Sequence, residues 1–81
     1  MRILYVEDNR ELRETIGMLM EAEGRTVTSC ATAEEALELV ATLNPDVVLS
    51  DLRLGEGIDG VTLTETLRRG AERPAVLILT T

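Results

Sequence analysis

The chain alternates short apolar runs with longer amphipathic stretches. The apolar runs at 3–6, 47–49 and 75–79 are continuous, the pattern of strands covered on both faces. Between them, apolar residues recur at helical spacing. Residues 2–6 read as a strand. Residues 9–23 read as a helix with Leu12, Ile16, Leu19 and Met20 on one stripe, and Gly24 is a natural stop. Residues 25–29 form a more polar strand suited to a sheet edge. Thr32-Ala33-Glu34-Glu35 has capping-box spacing and opens a second helix, in which Ala33, Ala36, Leu37 and Val40 share a face. That helix runs to about Leu43 and ends at Asn44-Pro45. Residues 46–50 form a third strand. A loop marked by Gly55 and Gly57 follows over 52–59. A third helix over 60–69 offers Val61, Leu63 and Leu67 as contacts, and 74–80 form a fourth strand.

Strands alternating with helices imply a parallel α/β sheet. In such sheets function sits at the carboxyl ends of the strands, near the point where strand order reverses. Glu7, Asp8, Asp51 and Thr80 all fall at such ends. Three carboxylates about 5 Å apart repel by roughly 3 kcal/mol per pair at an effective dielectric near 20. Such a cluster takes up protons or binds a cation. Hard oxygens open to water suit Mg²⁺, and Asp51 could then attack phosphorus to form an acyl phosphate. A hydroxyl at the end of the neighbouring strand, Thr80 or Thr81, could bond a phosphoryl oxygen.

Composition narrows this reading. The 81 residues suit one small domain, and 44% hydrophobic with 28% charged residues is a globular balance. Tyr5 is the sole aromatic, so the core is aliphatic. A formal charge of −7 disfavours direct contact with nucleic acid or an anionic membrane. Cys30 is alone, which excludes an internal disulfide and fits an intracellular protein. The sequence enters a strand pattern directly, which reads as a chain without a signal peptide, and no apolar stretch approaches a membrane span. It has no His, so it lacks the commonest general base.

Other residues read more plainly. Glu34-Glu35-Glu38 reads as a solvated helix face, Arg68-Arg69 as a complement to a helix dipole, and Asp59-Gly60 as a turn and helix entry. Glu7-Asp8 could also cap the first helix, because Asp8 and Glu11 have capping-box spacing. Met18, Leu19 and Met20 read as core.

The ordered set Ile3-Leu4-Tyr5-Val6-Glu7-Asp8-Asn9, Pro45-Asp46-Val47-Val48-Leu49-Ser50-Asp51, Asp59-Gly60 and Pro74-Ala75-Val76-Leu77-Ile78-Leu79-Thr80 resembles the receiver domain of bacterial two-component response regulators. The resemblance implies a flavodoxin-like doubly wound parallel sheet of order 2-1-3-4 with three helices. It implies a phosphoacceptor at Asp51, taking its phosphoryl group from the histidine of a sensor kinase or phosphotransfer protein. The Mg²⁺ ligands would be Asp8, Asp51 and the main-chain carbonyl of Arg53, with Glu7 assisting. Thr80 would be the switch hydroxyl, with Thr81 in competition because the Asp51–Gly60 loop looks one residue longer than the usual pattern. Gly55 stands where many members have Pro. Kinases commonly dock the first helix in this family. The implied protein is a cytoplasmic signalling domain that is phosphorylated, rather than a turnover enzyme.

The family pattern continues with another helix, a fifth strand carrying an essential Lys, and a last helix. This sequence stops at Thr81 and contains no Lys, which reads as a receiver-like domain over 1–81 truncated after its fourth strand. One face of the third and fourth strands would then lack cover. The apolar fourth strand would be a bare edge, suited to a homodimer or a domain-swapped form. The competing reading is a phosphate-independent receiver-like interaction module. An Asp-nucleophile phosphatase fits poorly, because Asp51-Leu52-Arg53 lacks the second Asp that such enzymes place on one strand end. A dinucleotide site fits poorly too, because Glu7-Asp8-Asn9-Arg10 has no glycine loop.

Overall fold

Where each element starts follows from its capping residue. In a computed structural model, residues 1–55, 57 and 59–70 and the backbone of 76–80 are described. Strand β1 is Arg2–Val6, and helix α1 is Arg10–Ala22. The cap of α1 is Asn9, whose side chain accepts from the Leu12 amide at 3.0 Å. The expected start at residue 9 is therefore one residue early, and Asp8 is not the cap. Strand β2 is Thr26–Cys30 and strand β3 is Val47–Asp51, each displaced one residue towards the carboxyl end from the sequence expectation.

Helix α2 is Ala33–Leu43, as its pattern indicates. The Thr32 hydroxyl accepts from the Glu35 amide at 3.1 Å and also meets the Glu35 carboxylate at 3.2 Å. The hydroxyl half of the capping box is thus present. The helix closes on Asn44 in the left-handed conformation, a backbone state that Asn tolerates better than most residues. Asp46 then joins the first and third strands at their starts. Its amide donates to the Arg2 carbonyl, and its carboxylate accepts from the Arg2 amide at 2.8 Å. Helix α3 is Gly60–Arg69, capped by Asp59, which accepts from the Thr62 amide at 2.8 Å. Strand β4 is Val76–Thr80; the expected start at Pro74 lies outside the described residues.

The four strands are parallel in the order β2-β1-β3-β4. This is the doubly wound arrangement, with the reversal of direction between β1 and β3. The main core lies on the face covered by α2 and α3. There Leu4, Val6, Cys30 and Val48 of the sheet meet Ala33, Ala36 and Val40 of α2 and Leu63 and Leu67 of α3. Leu54, in the loop after β3, is buried in the same cluster and anchors that loop. Sequence periodicity did not mark it, because a single buried loop residue has no period.

Helix α1 packs over the opposite face, against β2 and β1. Its buried residue is Gly17, which faces Ser29 of β2. Ile16 and Met20 are half-buried, while Leu12, Met18 and Leu19 are 46%, 69% and 58% exposed. The expectation that Met18, Leu19 and Met20 form core therefore fails for the first two, and Leu12 leaves the proposed stripe. Val61 of α3 is likewise exposed, not a packing contact. On β3, Val48 and Ser50 are buried under α2 and α3, while Val47 and Leu49 on the α1 face are only half-buried.

Candidate functional site

The carboxyl ends of β1 and β3 lie side by side, with Val6 opposite Ser50 in the register. The residues that follow, Glu7 and Asp8 after β1 and Asp51 closing β3, therefore meet at one sheet edge. Each offers a carboxylate oxygen, and these oxygens all lie within 4.8 Å of one another. The trio is graded in exposure: Glu7 is buried, Asp51 half-buried and Asp8 exposed.

Two of the three carboxylates meet a nearby backbone amide. The Glu7 side chain accepts from the Asn9 amide at 3.0 Å. Burial pushes its carboxyl above the ordinary value. The amide bond to Asn9 opposes this, and a hydrogen bond with Asp8 and the charges of Asp51 and Asp8 add to the rise. Asn9 caps the helix in place of Asp8, which leaves the Asp8 carboxylate for the trio. The Asp51 side chain faces the Arg53 amide at 3.4 Å, while the Asp51 carbonyl accepts from the Ser50 hydroxyl at 2.9 Å. Ser50 and Glu7 are the buried polar residues of this edge, and no buried side-chain nitrogen or oxygen among the described residues lacks a hydrogen-bond partner.

The loop after β3 brings Gly55 close to Asp8. Gly55 sits at φ 72°, and a β-carbon there would lie 3.2 Å from the Asp8 carboxylate. A positive φ is closed to proline, so the Pro common at this place cannot occupy this loop conformation. Gly60 presses against the Asp51 carbonyl, and its amide donates to the Leu52 carbonyl at 3.0 Å. Asp59-Gly60 is thus the turn and helix entry expected, and it also fixes the backbone of Asp51.

Thr80 is the register partner of Asp51 across β3 and β4, so its backbone stands beside the acidic edge. Thr81 lies outside the described residues. Arg53 is exposed, with its amide towards Asp51. Sequence reading missed two contributors. Asn9 is itself a strong cap type, so its role was available one residue beyond the Asp8 expectation. Arg13 donates to the Glu7 carbonyl at 2.8 Å, and no spacing rule announces that contact.

The family model for the response regulator receiver domain matches residues 3–81. The chain belongs to that family. Among curated relatives, this receiver domain is 38% identical over 77 residues to the transcriptional activator protein PfeR of Pseudomonas aeruginosa, covering 95% of the chain and 25% of the relative. It is 30% identical over 81 residues to the transcriptional regulatory protein LiaR of Bacillus subtilis, covering 98% and 38%. The receiver domain therefore spans well under half the length of these relatives. It is similar to the N-terminal domain of a response regulator/sensory box/GGDEF three-domain protein from Carboxydothermus hydrogenoformans, at 35% identity and TM-score 0.85, over 100% of this chain and 66% of that one. It is also similar to the BeF3-activated N-terminal receiver domain of RstA from Klebsiella pneumoniae, at 25% identity and TM-score 0.82, over 100% and 86%. No described helix of the receiver domain is long and apolar enough to cross a membrane.

Proposed function

We propose that the chain, as one receiver unit over 1–81, takes a phosphoryl group from a kinase histidine onto Asp51 in a cytoplasmic two-component relay. The observation that carries this reading is the meeting of Glu7, Asp8 and Asp51 oxygens within 4.8 Å at the carboxyl edge of a parallel sheet.

The donor set suits Mg²⁺. That ion holds oxygens octahedrally at about 2.0–2.1 Å, which puts adjacent ligand oxygens roughly 3 Å apart and opposite ones roughly 4 Å apart. Three hard carboxylates grouped this closely repel one another until a cation or protons intervene. Asp8 and Asp51 would hold the ion with the Arg53 carbonyl, and the buried Glu7 would assist. When bound, Mg²⁺ would neutralise charge on phosphoryl oxygens.

The remaining work falls to the chain. An Asp51 carboxylate oxygen forms the O–P bond as the P–N bond to the donor imidazole breaks, and the electron pair leaves on that nitrogen. The Arg53 amide and the Gly60 contact hold Asp51 at the strand end. The hydroxyl of Thr80, next to Asp51 in the register, would bond a phosphoryl oxygen as the switch residue; Thr81 is the lesser candidate for that role.

The partner is a sensor kinase or a phosphotransfer protein. The exposed Leu12, Met18 and Leu19 of α1 support docking on that helix. They equally favour the second reading, a receiver-like module that binds partners without phosphate. A further part of the proposal is a homodimer or strand-swapped form through β4, the edge strand of the described sheet. Native mass spectrometry tests it, and a stable monomer contradicts it.

Incubation with Mg²⁺ and acetyl phosphate, followed by intact mass measurement, separates the two functional readings. One added phosphoryl group, not formed when Mg²⁺ is chelated beforehand and absent in Asp51→Asn, is expected. No adduct under saturating donor would favour the interaction module.

A further inference from the structure

Arg13 is a half-buried cation on α1 that forms no salt bridge among the described residues, although Glu7, Asp8 and several helix glutamates are near in sequence. Arg10 and Arg25, by contrast, pair with Glu14 and Glu23 at the surface. Arg13 instead donates from Nη1 to the main-chain carbonyl of Glu7 at 2.8 Å. The amide of the same residue donates to the Cys30 carbonyl at 3.0 Å. Glu7 is thus tied on one side to β2 and on the other to α1.

That second tie has a consequence for Asp8. The Glu7 carbonyl and the Asp8 amide belong to one planar peptide. Holding the carbonyl holds the plane, and the plane fixes the direction in which the Asp8 α-carbon leaves the strand. Asp8 is the exposed member of the trio, and Asn9, not Asp8, supplies the helix cap. Its carboxylate has no main-chain donor among the described residues, whereas Glu7 has the Asn9 amide and Asp51 the Arg53 amide. Beside its hydrogen bond with the Glu7 side chain, it is the backbone beneath Asp8 that aims it at Glu7 and Asp51.

We infer that Arg13 is a positioning residue for the cation site: through the Glu7 carbonyl it fixes the peptide that aims Asp8. The inference rests on the Mg²⁺ reading above. It makes a prediction opposite in sign to simple electrostatics. A positive charge near three carboxylates repels a divalent cation, so neutralising Arg13 should tighten binding if charge were its whole effect. If positioning dominates, the same substitution weakens binding despite removing a repulsive charge. Loss of residues that orient metal ligands typically costs 10–100-fold in affinity.

The test is a MgCl₂ titration of the chain and its Arg13 variants, read by calorimetry and by the emission of Tyr5, the sole aromatic residue, which lies two positions before Glu7. Arg13→Met should weaken Mg²⁺ binding about tenfold or more. Arg13→Lys, which keeps a donor and the charge, should recover most of the affinity. Arg13→Gln serves if the Met variant fails to fold, and it should also bind more weakly than wild type. Wild-type or tighter affinity in the folded neutral variants overturns the inference, even if their melting temperatures fall. A wild-type chain that binds no Mg²⁺ removes the site reading and this inference together, and that failure is visible in the wild-type titration alone.

Discussion

Gly60 opens α3 directly against the main-chain carbonyl of Asp51, and the two leave no room for a β-carbon between them. The contact joins the helix entry to the residue proposed to carry phosphate. A backbone carbonyl cannot swing aside like the end of a flexible side chain. Gly60→Ala should therefore cost about 1–3 kcal/mol or more, the range for forced overpacking, and should weaken cation binding as Asp51 shifts. Urea unfolding and a Mg²⁺ titration check both. An unchanged midpoint would show that the loop after β3 relaxes freely.

The two helix faces should respond very differently to truncation. Leu63 is fully buried between α3 and the sheet, whereas Leu19 of α1 is 58% exposed. Leu63→Ala should cost about 2–5 kcal/mol. Leu19→Ser should change stability by less than about 0.5 kcal/mol. Equal losses in chemical denaturation would mean that α1 buries its leucines against something in solution.

This contrast marks where sequence pattern stopped being informative. The strands were legible from apolar runs bounded by turn and cap residues, while their order came with the family resemblance, because periodicity does not say which strands pair. The α1 stripe misled. Gly17 carries no hydrophobic signal, yet it is the α1 residue that faces Ser29 of β2, while Leu12 and Leu19 are turned towards solvent. The acidic trio was legible because each member ends or follows an apolar run. The Arg13 tie and the Gly60 contact were not, because both are made to main-chain carbonyls, which every residue possesses.

Stability should depend on pH through Glu7. Its folded carboxyl titrates above the ordinary value of 4.5, chiefly because it is buried. The folded chain therefore binds that proton more tightly than the unfolded chain. The stability this adds is complete below pH 4.5 and is lost as pH rises through the raised value. Without divalent cation, Glu7→Gln should melt higher than wild type at neutral pH and should match it below pH 4.5. Added Mg²⁺ should narrow the gap, since it stabilises ionised Glu7. Thermal melts across this range decide it; a variant less stable at neutral pH without metal would contradict the account.

Cys30 should be chemically silent in the folded chain. It is 4% exposed, and burial, aided by the nearby Glu35 charge, pushes its thiol up to about 11. Thiolate is the reactive form. Labelling by a disulfide reagent at pH 8 should be slow and should accelerate with urea in step with unfolding. Rapid labelling without denaturant would place Cys30 at the surface.

The central claim is that Asp51 receives the phosphoryl group at an edge it shares with Glu7 and Asp8. The most direct measurement is to phosphorylate the chain with acetyl phosphate and Mg²⁺, reduce the acyl phosphate with borohydride, and locate the reduced residue by peptide sequencing. Reduction converts an aspartyl phosphate to homoserine. The account predicts homoserine at position 51 and nowhere else, and none when Mg²⁺ is chelated. Homoserine at position 8, or an intact Asp51 after saturating donor, would contradict it.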